Sequence, residues 1–246
     1  GDILMAGKRE MIAKNIAAML HDGDVVNLGV GIPTLVGNYV PEGMTVWFQG
    51  ENGCIGVDKE LPFPWDFDNY ESVVGWMKRN GGEDGDWKVG HKDLGNANDI
   101  FVTLLPGACC FDSALSFAII RGGHLDATVL GALEVDMEGN LANWMIPGKK
   151  LSGMGGAMDL VSGSKRVIVA TEHCNKYGVP KLLKKCTLPL TAVECVNTIV
   201  TELCVIQCKN HKMTVTAMAP GITREELQAK TDAPLYFADE VCEMLM

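Results

Sequence analysis

Residues 44–56 read Met-Thr-Val-Trp-Phe-Gln-Gly-Glu-Asn-Gly-Cys-Ile-Gly. The apolar, aromatic and β-branched residues at 44–48 predict a short buried strand, and Glu51 follows that strand between glycines. In open α/β folds, ligands bind at the carboxyl edge of the sheet, where such a strand ends. The neighbouring glycines let a substrate or another backbone come close to Glu51. Taken alone, these residues fit a carboxylate in a binding site and a solvated glutamate in a turn equally well.

The rest of the chain alternates between predicted helices and predicted strands. Near-continuous apolar strands that alternate with helices are typical of an open, mostly parallel sheet with helices on both faces. We therefore predict an α/β fold and a single domain over residues 1–246. Helices are predicted at 7–20, from near Thr34 (which could cap its helix), at 112–120, at 158–161 and after the capping box of Thr223–Glu226. Strands are predicted at 25–28, 44–48, 101–105, 127–133 and 166–170, with β-rich stretches near 195–208 and 212–218.

The composition argues against several classes of protein. The formal net charge is −10 over 246 residues, without a cluster of Lys and Arg. Such a chain is a poor candidate for binding nucleic acid or an anionic membrane. No apolar run is long enough to span a bilayer, and the N-terminus lacks the apolar core of a signal peptide. We expect a cytoplasmic protein.

The cysteines indicate reduced thiols and no metal site. Their number, nine, is odd, which does not suit a secreted disulfide scaffold. The sequence contains no Cys-x2-Cys pair, and Cys204 and Cys208 lie in an apolar, strand-like run. Buried cysteines commonly behave as small hydrophobic residues. We therefore predict that no metal is bound.

Residues 58–99 differ in composition from the segments around them. They hold ten Asp and Glu against five Lys and Arg, together with Trp65, Trp76 and Trp87. A stretch of this length without strand alternation is uncommon in a compact domain unless it is functional or disordered. We interpret it as an acidic, Trp-containing insertion. It is either a solvated surface segment or a lid or subunit contact, since aromatic residues on loops tend to bury against something.

The residues around Glu51 closely resemble the Ser-Glu-Asn-Gly signature of class I coenzyme A (CoA) transferases, in which the glutamate is the catalytic nucleophile. Gly50 replaces the usual serine and Cys54 replaces a usual aliphatic residue. These two changes affect the shape of the pocket and leave the nucleophile in place. Further segments match the family in the same order: Asn27–Pro33, Leu104–Ala108, Ile120–Asp126, Gly139–Trp144 and Gly153–Leu160.

Together these segments resemble the beta subunit of a 3-oxoacid, or butyrate–acetoacetate-type, CoA-transferase. The resemblance runs from about Lys8 to about Lys230 and implies the NagB/RpiA/CoA-transferase-like fold. It also implies ping-pong chemistry, in which CoA moves between a short-chain acyl-CoA and a carboxylic acid such as acetoacetate. Glu51 would carry CoA as a covalent glutamyl-CoA thioester. CoA would thus be a substrate, and no cofactor would be bound permanently.

Such chemistry passes through tetrahedral oxyanions, which backbone N–H groups can stabilise. Two glycine-rich segments are candidates, because each precedes a predicted helix and can point N–H groups outward. We predict donors at Gly29, Gly31, Gly155 and Gly156.

We also predict contacts between substrate and the residues that follow the nucleophile, Asn52 and Gly53. Asn52 could orient Glu51 or bind a substrate carboxylate, and it could equally cap the turn. Asn143 and Asp159 are further candidates, for either structural or substrate contacts.

The resemblance further implies a partner, the alpha subunit of the CoA-transferase, in a heterodimer or an α2β2 assembly, whereas the sequence alone would allow a homodimer. Two alternative functions stay open. One is a 3-oxoadipate CoA-transferase, which would want a cation such as Arg121 or Lys149 for the second carboxylate. The other is a non-catalytic ligand-sensing domain of the same fold, which would not need a nucleophile at Glu51.

Overall fold

A computed structural model describes residues 2–60, 94–96, 102–148, 150–151 and 153–246. The described elements are α1 (Asp2–Ala17), β1 (Val25–Leu28), a 3₁₀ helix (Ile32–Tyr39), β2 (Trp47–Gly50), β3 (Cys54–Glu60), β4 (Val102–Cys110), α2 (Ser113–Arg121), β5 (Ala127–Leu130), β6 (Glu134–Asp136), β7 (Leu141–Ala142), β8 (Met145–Ile146), β9 (Lys150–Leu151), α3 (Ala157–Gly163), β10 (Val167–Ala170), β11 (Leu182–Leu183), β12 (Thr198–Val200), β13 (Cys204–Lys209), β14 (Lys212–Met218), α4 (Arg224–Ala229) and β15 (Leu235–Glu243).

A ten-stranded sheet in the order β15-β14-β13-β12-β10-β5-β1-β2-β3-β4 organises the molecule. Its central strands β12, β10, β5, β1 and β2 all run parallel. Antiparallel pairs flank them, β2 with β3 and β3 with β4 on one side, β12 with β13 and β13 with β14 on the other. The predicted α/β fold with a mostly parallel sheet is confirmed, and the antiparallel borders were not predicted.

Both faces of this sheet are covered, and β10 shows how. Its four residues are all buried. Val167 and Val169 belong to a hydrophobic cluster with residues of α2 and α3. Ile168 and Ala170 point the other way, into a second cluster with residues of α1 and the 3₁₀ helix. Because side chains alternate along a strand, an unbroken apolar strand is the sequence pattern that two covered faces require.

Some predicted boundaries were wrong because strand pairing sets them. The strand predicted at 44–48 begins at Trp47, which pairs with Val25 of β1, and it continues to Gly50. Thr34 does not cap its helix. It lies inside the 3₁₀ helix that follows Gly31, and its hydroxyl donates to the Gly31 carbonyl at 2.9 Å.

The acidic segment lies mostly outside the described residues, and so do its three tryptophans. Residues 58–60 belong to β3, so any excursion from the sheet begins after Glu60. The single domain and its insertion stay predictions. Within the described ranges, no helix combines the length and the apolar character needed to cross a membrane.

Candidate active site

Three neighbouring parallel strands end at the same edge of the sheet. β1 lies between β2 and β5 and is parallel to both, so the carboxyl ends of all three strands meet. An open cavity of about 570 Å³ lies at this edge. It is lined by Asn27, Leu28, Gly29, Val30, Glu51, Leu130, Gly131, Ala132, Leu133, Asn143, Gly153, Met154, Gly155, Gly156, Ala157 and Leu160. Ligands of open α/β folds bind at this kind of position.

A tight turn between β2 and β3 carries Glu51 into the cavity. The Gly53 N–H donates to the Gly50 carbonyl at 3.0 Å, and the Phe111 N–H donates to the Gly53 carbonyl at 2.9 Å. Gly53 has a φ of +122°, and a Cβ there would overlap the Phe111 carbonyl oxygen. A side chain at this position would thus break the close approach of two backbone segments. The structure gives Gly53 this structural role, and its contact with substrate stays a prediction.

Asn52 also points away from the cavity. Its side-chain amide donates to the Gly95 carbonyl at 2.8 Å. A Cβ on Gly50 would lie only 2.6 Å from the Asn52 Oδ1. Asn52 therefore fastens the turn to the 94–96 segment. The contact of Asn52 with substrate stays a prediction, and its partner Gly95, so far along the chain, leaves no local sequence pattern.

Gly156 lies against the carboxylate of Glu51. Its backbone N–H lies near the Glu51 carboxylate and lowers the pKa of that carboxyl. A Cβ on Gly156 would overlap the Glu51 Oε2 and lie 3.0 Å from its Cδ. Gly155 is also close, since a Cβ there would lie 3.9 Å from the Glu51 Oε1. The predicted approach of the 153–156 segment to Glu51 is therefore present, and it depends on the missing side chain of Gly156.

The surroundings of Glu51 disfavour its charged form. Burial raises the pKa of the Glu51 carboxyl above its ordinary value. The nearby Gly156 N–H opposes that rise in pKa, while the negative charge of Asp159 adds to it. Asp159 is itself paired with Arg121 at 2.7 Å. The carboxylate thus lies half-buried, with one N–H donor and a like charge nearby.

In the first glycine segment, the N–H of Gly29 is already engaged, and the role of Gly31 stays a prediction. The Gly29 N–H donates to the Val129 carbonyl at 2.8 Å, as part of the pairing between β1 and β5. Gly29 therefore lines the cavity without a free N–H, and the prediction that it is an oxyanion donor is wrong. Gly31 begins the 3₁₀ helix at a φ of +93° and is not among the described residues that line the cavity.

A buried polar network beneath the turn was missed by the sequence reasoning. The Asn27 side-chain amide donates to the Gln49 carbonyl at 3.0 Å and to Gln49 Oε1 at 2.8 Å. The Gln49 amide in turn donates to the Ser116 hydroxyl at 2.8 Å. The network joins β1, β2 and α2 immediately before Glu51. Polar residues inside otherwise apolar strands were the available signal, because buried polar groups need partners.

Asn143 occupies the opposite wall of the cavity. Its amide donates to the Gly131 carbonyl at 3.2 Å, and its Oδ1 accepts from the Thr191 hydroxyl at 2.7 Å. Both contacts are structural and fix the segment after β5. Across the described part of the chain, no group of three or more His, Cys, Asp or Glu side chains could hold a metal ion. The site thus offers one activated carboxylate, one N–H donor and an open cavity.

Comparison with known proteins gives the family of the chain. A family model described as coenzyme A transferase matches residues 9–62 and 91–230. The chain belongs to the coenzyme A transferase family. The unmatched residues 63–90 fall inside the acidic segment.

Named relatives identify this CoA-transferase as a beta-type subunit, which confirms the resemblance drawn from the sequence. The beta subunit of the acetate CoA-transferase of Escherichia coli (strain K12) is 47% identical over 233 residues, covering 95% of each protein. The corresponding subunit of the succinyl-CoA:3-ketoacid coenzyme A transferase of Helicobacter pylori (strain J99 / ATCC 700824) is 45% identical over 225 residues, which cover 92% of this chain and 97% of the relative.

A solved structure agrees in fold. The crystal structure of an acyl-CoA transferase from Escherichia coli O157:H7 matches 97% of this chain with a TM-score of 0.69 at 19% identity. This CoA-transferase spans 43% of that longer chain. At so low an identity, the similarity concerns the fold alone.

Proposed function

We propose that this CoA-transferase moves CoA between a short-chain acyl-CoA and a carboxylic acid such as acetoacetate, through a glutamyl-CoA thioester on Glu51. One observation carries the proposal. The Glu51 carboxylate lines the cavity at the carboxyl edge of the sheet, and the backbone of Gly156 lies directly against it. A carboxylate positioned in this way can act as a covalent nucleophile without a metal or a general base.

The first half-reaction has two steps. A Glu51 oxygen attacks the thioester carbonyl of the acyl-CoA, and the C–S bond breaks to release CoA thiolate and leave a mixed anhydride. The thiolate then attacks the Glu51 carbonyl carbon, and the anhydride C–O bond breaks to release the donor acid as a carboxylate. Glu51 is left as its CoA thioester, with no net change in protons or electrons.

The second half-reaction reverses these steps with the acceptor. The acceptor carboxylate attacks the Glu51 carbonyl and displaces CoA thiolate, which gives a second anhydride. The thiolate attacks the acceptor's acyl carbon and releases Glu51 as a carboxylate. In two of the four steps, therefore, the carbon that becomes tetrahedral is the carboxyl carbon of Glu51.

Gly156 is suited to stabilise those two steps. Its N–H already lies beside the Glu51 carboxylate in the resting enzyme. When the Glu51 carbonyl carbon becomes tetrahedral, one of its oxygens takes the negative charge, so the donor is in position before the charge develops. A prepositioned donor of this kind is worth roughly 100- to 1000-fold in turnover.

The raised pKa of Glu51 also serves the reaction. A desolvated carboxylate is more basic than one in water, and so is a stronger nucleophile toward a thioester. The carboxyl must nevertheless be ionised to attack, so the acid limit of the reaction follows its pKa. Burial therefore makes the Glu51 carboxylate more reactive, and it also raises the lowest pH at which transfer can proceed.

The described cavity walls favour an acyl group without a second carboxylate. They carry no Lys, Arg or His among the described residues. Arg121 is engaged with Asp159, and Lys149 lies outside the described residues. A 3-oxoadipate CoA-transferase would need a cation at this point, so the chain's own contribution to the site favours a short monocarboxylate such as acetoacetate.

A second, different subunit completes the proposed enzyme. Both named relatives are subunits of their enzymes by name, which implies a partner chain for each. We propose that this CoA-transferase likewise acts with an alpha subunit in a hetero-oligomer.

Trapping the covalent intermediate tests the proposal. The chain is co-expressed with an alpha subunit, incubated with a short-chain acyl-CoA, and reduced with borohydride, which converts a glutamyl thioester into the corresponding alcohol. Peptide mass spectrometry should place that modification on Glu51. Glu51→Ala should show neither modification nor transfer, whereas Glu42→Gln, a change at an exposed carboxylate, should keep both. Modification at another residue, or transfer by Glu51→Ala, would overturn the mechanism.

A further inference from the structure

Three cysteines lie on the two strands next to the Glu51 turn. Cys54 begins β3, and Cys109 and Cys110 end β4. All three are free thiols. In the antiparallel pairing of these strands, Cys54 lies opposite Cys110 and Ile55 lies opposite Cys109. Since side chains alternate along a strand, Cys54 and Cys110 share one face of the sheet and Cys109 lies on the other.

The geometry of the Cys54–Cys110 pair suits a disulfide. The neighbouring hydrogen bond runs from the Phe111 N–H to the Gly53 carbonyl. Cys54 and Cys110 therefore form a non-hydrogen-bonded pair, the kind in which Cα atoms are about 4.5 Å apart and side chains are closest. Disulfides need Cα atoms roughly 4.4–6.8 Å apart.

The two thiols differ in their access to solvent. Cys110 is exposed, whereas Cys54 is 7% exposed. Burial, followed by the neighbouring Cys110, raises the pKa of the Cys54 thiol to about 12. Cys54 thus stays protonated and shielded, and a reagent from solution meets Cys110 first. An accessible thiol beside a shielded second thiol is the usual arrangement of a thiol pair that is oxidised in two steps.

We propose that Cys54 and Cys110 form a reversible disulfide on exposure to a low-molecular-weight disulfide such as oxidised glutathione. In the first step Cys110, as the thiolate, attacks the reagent, which forms a mixed disulfide and releases one reduced thiol. In the second step Cys54 loses its proton and attacks the Cys110 sulfur, which releases the second reduced thiol. The protein loses two electrons and two protons, and the reagent gains both.

The disulfide would act on the Glu51 turn, a consequence that rests on the function proposed above. Opposite Cβ atoms in a sheet are about 4.5–5.5 Å apart, and a disulfide draws them to about 3.5–4.5 Å. Gly50 pairs with Cys54, so this contraction of about 1 Å is applied at the base of the turn that holds Glu51. A misplacement of this size can cost about 100-fold in turnover. Oxidation should therefore reversibly slow CoA transfer.

Peptide mapping and activity together test the proposal. The complex with the alpha subunit is treated with excess oxidised glutathione, free thiols are blocked with N-ethylmaleimide, and digested peptides are analysed without reduction. We expect a peptide linked through Cys54 and Cys110, about a 100-fold fall in transfer, and recovery with dithiothreitol. Cys110→Ser and Cys54→Val should be insensitive to the oxidant. Cys109→Ser, the matched control on the opposite face, should respond like the natural sequence.

Each outcome decides a separate part of the proposal. Absence of the Cys54–Cys110 peptide would overturn the disulfide. An equal loss of activity in Cys110→Ser would assign the effect to another cysteine. A linked peptide with unchanged transfer would overturn the coupling to the Glu51 turn. The peptide readout does not depend on transfer, so failure of the thiol pair and failure of the proposed function are distinguishable.

Discussion

Replacing Gly156 with alanine should disable the enzyme by displacing Glu51, and not by unfolding the chain. The backbone at Gly156 has φ −82° and ψ 5°, which an alanine can adopt. The new methyl group would overlap the Glu51 Oε2 and lie 3.2 Å from the Phe117 Cε1. The carboxylate must therefore move. A displacement of about 1 Å is expected to lower turnover about 100-fold.

Stability measurements can separate a clash with Glu51 from a loss of stability that does not depend on Glu51. In the natural sequence the overlap should make Gly156→Ala destabilising. In a Glu51→Ala background the methyl group meets no carboxylate, and a compatible glycine-to-alanine change should stabilise by about 0.4–1 kcal/mol. The coupling between the two positions should fall in the range of roughly 0.5–3 kcal/mol found for residues in contact.

The assay measures CoA transfer by the complex with the alpha subunit. It also measures urea unfolding of Gly156→Ala, of Glu51→Ala and of the double variant. Gly7→Ala is the matched control, since a Cβ there meets nothing within 4 Å. Natural turnover in Gly156→Ala would refute the placement of Glu51 against Gly156. A loss of stability that persists in the Glu51→Ala background would assign the cost to Phe117.

Three further predictions concern pH and helix capping. Transfer should fall as pH drops through the raised pKa of Glu51, and Asp159→Asn should move this limit to lower pH, because a like charge that raises the pKa is removed; a pH–rate profile tests both. Burial lowers the pKa of His173 to about 4, whereas in the unfolded chain it is about 6.5. The free energy of unfolding is therefore unaffected by this group above pH 6.5 and decreases by about 3 kcal/mol as the pH falls to about 4. The free energy of unfolding, measured with urea across that pH window, should depend less on pH in His173→Gln than in the natural sequence. An equal dependence on pH would contradict the prediction. Thr223→Ala should cost about 1 kcal/mol without affecting transfer, since it removes the capping box with Glu226; a calorimetric scan beside a turnover assay checks it.

Local patterns predicted the parts of the fold that depend on neighbours in sequence. The unbroken apolar run of β10 predicted a strand covered on both faces, and the capping box at Thr223 marked the start of α4. The same reasoning missed β15, most of whose side chains are not buried. An edge strand is defined by its pairing with β14, and that pairing leaves little apolar pattern behind.

The candidate site divides in a similar way. Glu51 could be found because a carboxylate at a strand end is a local feature of the sequence. The role of Gly156 as its N–H partner, and the loss of the Gly29 N–H to Val129, depend on contacts between distant segments. For the same reason, the fastening of Asn52 to Gly95 could not be read from the glycine-rich pattern.

The turn that carries Glu51 has a length that the core of the protein enforces. β3 is paired with β2 on one side and with β4 on the other, and each pairing contains at least one register shift of the kind a β-bulge produces. If a residue added or deleted between Gly50 and Cys54 were passed into β3, the strand would shift by one position and exchange the two faces of its side chains. Because β3 is paired on both sides, such a change must instead be absorbed within the turn, and the position of Glu51 would move with it.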